Sequence, residues 1–170
     1  MAGATSSTGE RSPARRGAPS WVSILLGYAG IVAGGLVAAV TGPLGLDRGS
    51  WVAAYLVLVG GVAQLALGWV PGELGRPIPV RSAWVQVVAW NLGNVLVIVG
   101  TLTGALLGVD AGSILLVLAL LLAILAAVGP LGAPTPRPER WHRLLARVYL
   151  GLLVLLAISI PVGIVLAHLP

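Results

Sequence analysis

The chain has 170 residues, 58% of them hydrophobic and only 9% charged, with a mean hydropathy of +1.01. Soluble domains carry about a quarter charged residues, so a water-soluble globular domain is excluded, and one membrane domain is the economical reading. The net charge of +5 does not point to nucleic acid, because the basic residues sit at the ends of apolar runs and form no stripe alternating with aromatics. The absence of cysteine excludes disulfides, iron–sulfur clusters and thiol catalysis.

Residues 1–20 are rich in Ser, Gly, Ala and Arg and are expected to form a disordered cytoplasmic tail. Arg15-Arg16 ahead of an apolar run hints at a twin-arginine export signal. The run that follows is too long and apolar for a cleaved signal, which favours a retained first span. A helix needs about 20 apolar residues to cross about 30 Å of hydrocarbon. By that measure five spans are expected, at about 21–41, 51–70, 83–109, 111–131 and 144–169. An open sheet could not satisfy its backbone groups in lipid, so all five are read as helices. The expected fold class is therefore all-α, an integral membrane bundle of five transmembrane helices spanning residues 21–170.

The span ends carry their own signals. Ser20, Ser50 and Ser82 each precede a run and are expected to cap its first turn. Trp21, Trp51, Trp69, Trp84 and Trp141 stand at five boundaries and read as an aromatic belt, with Trp90 deeper as a packing residue. Arg11, Arg15, Arg16, Arg76, Arg81, Arg137, Arg140, Arg143 and Arg147 fall on one side of the spans, and Arg48 alone on the other. The positive-inside rule then places the N-terminus in and, after an odd number of spans, the C-terminus out. The Pro-rich stretch 133–138 reads as an extended connector. Lysine and phenylalanine are absent and only two asparagines occur. Those residues are encoded by A/T-rich codons, which suggests a GC-rich genome and the cytoplasmic membrane of a bacterium.

Chemistry inside the spans is sparse. Asp47, Asp110, Glu10, Glu73 and Glu139 all fall in loops or the tail, so the ionisable groups that mark proton relays are missing, as are paired carboxylates. No catalytic, cofactor-binding or metal residue is proposed. The embedded polar residues gather in spans two and three: Gln64, then Gln86, Asn91, Asn94, Thr101 and Thr103. At 100° per residue, Asn91, Asn94 and Thr101 project from nearly one face, which places span three at the bundle centre. Gln64, Asn91, Asn94 and Thr101 form the candidate polar cluster. Interhelical hydrogen bonding is the simpler role for it, and a polar ligand or water site near Gln64 is the competing one.

Glycine rows at four-residue spacing, Gly30 and Gly34 in span one and Gly100, Gly104 and Gly108 in span three, are expected to let backbones approach within the chain, between copies, or with a membrane protein partner. Span four has no polar residue from Ile114 to Val128 and is assigned to the lipid-facing rim. Pro161 is expected to kink span five. The two histidines, His142 and His168, lie 26 positions apart, about 39 Å along a helix, and cannot share one metal or haem.

The segment from Tyr55 to Gly68, followed by Trp69-Val70-Pro71 and Gly75-Arg76-Pro77, and the segment Trp90-Asn91-Leu92-Gly93-Asn94 are similar to small multi-pass proteins related to haem–copper oxidase subunit I and to NnrS-type proteins. The resemblance covers about a third of the chain. It implies helices that hold haem or copper through histidines, yet Tyr55 stands where a histidine is expected. The implied relative is one without those cofactors. Three readings follow: a non-catalytic accessory or structural membrane protein, a small transporter with a polar path through spans two and three, and a haem-handling redox protein.

Overall fold

The computed structural model describes residues 17–74, 78–128 and 140–168, with the backbone alone at Val128 and 161–168. Five helices account for nearly all of them: α1 Ala18–Leu44, α2 Gly49–Glu73, α3 Val80–Thr103, α4 Leu106–Val128 and α5 Arg140–His168. Each is long and apolar enough to cross a membrane, and no strand occurs among the described residues. Residues 1–16 and the connector at 129–139 lie outside the described ones.

The helix ends differ from the sequence expectation in a consistent way. Pro19 sits in the first turn of α1, where its missing N–H costs nothing, so α1 begins at Ala18 rather than Trp21. Ser20, Ser50 and Ser82 all lie inside the first turns. The N-cap positions belong to Gly17, Arg48 and Pro79, none with a side-chain cap bond. Span three does not run to Val109. It stops at Thr103 because Gly104 adopts a left-handed φ of 70°, and residues 106–109 already belong to α4. Gly45 ends α1 in the same way with φ 58°. Glycine reaches this region without the clash that a Cβ brings.

The helices pair as two antiparallel hairpins, α1 with α2 and α3 with α4, and α5 packs on α4. The first hairpin closes on a glycine seam. A Cβ added to Gly30 would lie 2.7 Å from the Gly60 carbonyl, and one on Gly34 would lie 2.8 Å from the Ala53 carbonyl oxygen. The second hairpin crosses at Gly93 and Gly112, where a Cβ on either would meet the other's carbonyl oxygen at 2.9 and 2.7 Å. The Gly30/Gly34 row therefore packs inside the chain. Gly100, Gly104 and Gly108 do not form one helix face: Gly104 is the turn, and Gly108 on α4 approaches Gly100 on α3.

The deepest core is built from α3, α4 and α5, with α2 against it. Trp90, Leu116, Ala119, Leu120, Ala123, Tyr149 and Leu153 form one cluster with Ala63 and Leu67 of α2. This corrects the rim assignment of span four, since α4 is packed between α3 and α5. An all-apolar helix suits a core as well as it suits lipid, so composition alone misplaced it. Span three has the largest buried share of the five, and α1 and α5 the smallest. Trp90 is buried, whereas Trp21, Trp51, Trp69, Trp84 and Trp141 are exposed near helix ends.

Part of the sequence repeats along the two hairpins. Trp21-Val22, Gly30, Gly45, Asp47 and Gly49-Ser50 recur 63 positions later as Trp84-Val85, Gly93, Gly108, Asp110 and Gly112-Ser113. Thr41-Gly42 recurs as Thr103-Gly104, with one residue added after it. The turn falls differently in the two copies. In the first, Gly45 to Arg48 make the turn; in the second, Gly104 and Ala105 make it, and Asp110-Ala111-Gly112 are helical.

Candidate functional site

Helix α2 changes pitch where it packs against α1. Residues Leu56–Ala63 form a π-helical segment ending directly before Gln64. Runs of this kind are rare and concentrate at functional positions in helices. Gly60 and Gly61 lie within it, and Gly61 backs onto Ile31 of α1.

On one side of the segment stands Tyr55, whose hydroxyl donates to Asn94 Oδ1 at 2.8 Å. Asn94 is buried, and its Nδ2 donates at 2.8 Å to the Trp90 carbonyl one turn earlier. The two bonds fix the amide and tie α2 to α3, so the hairpins meet through a side-chain clamp. Trp51 packs its ring against Tyr55 with centroids 5.3 Å apart and planes at 31°, which holds the phenol in place.

The remaining predicted cluster residues are not brought together. Asn91, half-buried, turns back to its own helix, with Nδ2 donating to the Val87 carbonyl at 2.8 Å. Gln64 is buried in the core with Nε2 unpartnered. The carbonyl of Thr101 accepts from an Arg48 guanidinium N–H, closing the α1–α2 turn onto the end of α3. Deeper in the bundle, Gln86 Nε2 reaches the Ala119 carbonyl of α4 at 3.4 Å.

Two more buried donors lack partners, Trp90 Nε1 and Tyr149 Oη. Gln64, Trp90 and Tyr149 stand nine, ten and nine positions from Glu73, Val80 and Arg140 at the ends of their helices. At about 1.5 Å per residue, each stands roughly 14 to 15 Å along its helix from that end. An open cleft of about 520 Å³ lies elsewhere, beside the α1–α2 turn.

Sequence reasoning missed the part played by Tyr55. The signal was available, because a phenol within an apolar helix requires a hydrogen-bonding partner. His142 is half-buried at the start of α5, and His168 ends the same helix. Among the described residues, no three or more His, Cys, Asp or Glu gather as a metal site.

By length and composition the five helices suit a multi-pass membrane protein. No family model, curated protein or solved structure matches the chain.

Proposed function

We propose that this chain is an integral protein of a bacterial cytoplasmic membrane, N-terminus in and C-terminus out, that acts as a non-catalytic accessory or structural component through helix contacts. The observation that carries this reading is the Tyr55–Asn94 clamp. The span-three asparagine most deeply buried directs both polar ends at protein groups, which is what interhelical glue does. Asn91 likewise donates to its own backbone. The resemblance to oxidase subunit I and NnrS-type proteins suggests a haem-free relative, with Tyr55 where a histidine would bind metal.

One observation favours a second reading. The unpartnered donors of Gln64, Trp90 and Tyr149 suit a small transporter whose polar path passes the middle of the bundle. Replacing Asn91 and Asn94 together by leucine separates the two. Lower stability or partner association at unchanged uptake supports the accessory role, and selective loss of uptake at unchanged protein level supports the transporter. A Soret band in the purified protein, lost in His142→Ala or His168→Ala, would replace both with a haem-handling role.

A further inference from the structure

The cleft beside the α1–α2 turn is graded from polar to apolar. Asp47 and Arg48 belong to the turn itself, and the walls below are Val37 of α1, Val52 of α2 and Leu102 of α3. Val37 lies seven positions before the end of α1, about 10 Å down the helix. The volume, about 520 Å³, falls within the range of small-ligand sites.

Among the described residues, Arg48 is the only arginine at this end of the helices. One of its N–H groups meets the Thr101 carbonyl, which caps the C-terminus of α3, but a guanidinium has five donors and caps with one. The matching position of the second copy holds Ala111 inside α4, so the guanidinium is particular to the first copy. The second copy also folds Asp110 into α4, so only the first copy presents a carboxylate and a guanidinium side by side at a turn.

We propose that this cleft binds a phospholipid with a primary-ammonium headgroup, its phosphate on Arg48, its ammonium on Asp47, and the upper part of an acyl chain along Val37, Val52 and Leu102. Arginine pairs with phosphate through two parallel N–H donors, and a carboxylate accepts from an ammonium. The spans hold the turn at headgroup level and the walls in hydrocarbon, the same gradient as the lipid. A soluble phosphate compound would leave the apolar walls unused. The proposal rests on the membrane reading above, but not on the direction of insertion or on the accessory role.

The test is lipid retention by the full-length protein, followed by native mass spectrometry, with phosphatidylethanolamine, phosphatidylcholine, phosphatidylglycerol and water-soluble glycerophosphoethanolamine as probes. Phosphatidylethanolamine is expected to bind about tenfold more tightly than the other two lipids, the difference that one charge-assisted contact makes. Asp47→Asn should erase that preference, and Arg48→Ala should weaken retention of all three lipids. Because Arg48→Ala also removes a helix cap, Leu102→Trp supplies the independent variant: it fills the cleft with both charges in place and should abolish retention. Unchanged retention in Leu102→Trp and Asp47→Asn would overturn the proposal. So would equal competition by glycerophosphoethanolamine, which would assign the site to a free headgroup compound. Failure of the membrane reading is a separate result, seen as protein that stays in solution without detergent or bilayer.

Discussion

The two hairpins share a sequence motif but reach stability differently. In α1–α2 the backbones approach closely where Gly30 and Gly34 of α1 lie on Gly60 and Ala53 of α2, with Leu65 seated on Gly27 and Ile31 on Gly61, and most of the remaining α1 surface is exposed. In α3–α4 a single glycine crossing at Gly93 and Gly112 is continued by large side chains, Trp90, Leu116 and Leu120, and α5 adds Tyr149 and Leu153. The difference teaches that close approach and core volume are separate resources in a membrane bundle. Lipid tails are as apolar as leucine, so association depends on packing and hydrogen bonds rather than on escape from water. The first hairpin relies almost wholly on shape, and the second on shape plus filled volume.

The sharpest way to break that contrast is at the seams. Gly30→Val should destabilise the fold by about 3 kcal/mol, because its side chain would collide with the Gly60 backbone, which has no room to yield. Gly35→Ala, one face away with nothing within 4 Å, should stay within about 0.5 kcal/mol of the parent. Thermal unfolding of both in one detergent checks the pair, and equal stability would remove the seam from the account.

Next in size is the hairpin clamp. Asn94→Leu removes the acceptor for Tyr55 and should lower stability by about 1 to 2 kcal/mol, whereas Asn91→Leu, which loses only a bond to its own helix, should cost less than about 0.5 kcal/mol. Urea or SDS titration of the reconstituted protein reads both. A smaller effect of similar origin is expected at the second turn. Gly104→Ala places a Cβ on a left-handed residue and should cost about 1 kcal/mol by the same measurement.

The smallest expected change has the opposite sign. Gln64 Nε2 is buried without a partner, so Gln64→Leu should leave stability unchanged or raise it by up to about 1 kcal/mol. A clear loss of stability would show that the amide is satisfied in the membrane by a bound group, which would favour the polar-path reading.

Much of this architecture could be read from the sequence, because twenty-residue apolar runs leave few options in lipid. The five helices, the buried Trp90 among exposed boundary tryptophans, and the high burial of α3 all follow from hydropathy and polar spacing. The place of α4 did not follow. Its Leu and Ala residues look alike to lipid and to a core, and only the partner helices decide between them. The turn at Gly104 was hidden by apolar residues on both sides, and the repeated Thr-Gly pair does not mark it, because Gly42 lies within α1 and that hairpin reverses at Gly45 to Arg48. Of the candidate site, Asn94 was legible as a buried polar residue and Tyr55 as a phenol in need of a partner, while their pairing was not. The pairing bridges 39 positions, and no local pattern encodes it.

The bond between Tyr55 and Asn94 joins the two hairpins, and its coupling energy can be measured. A double-mutant cycle with Tyr55→Phe, Asn94→Leu and the combined variant, read as unfolding free energy in a bilayer mimic, measures it without reference to either residue's packing. The predicted coupling is about 0.6 to 2 kcal/mol, the size of an interhelical hydrogen bond. Additive effects, with no coupling between the two substitutions, would contradict the claim that this bond joins the hairpins.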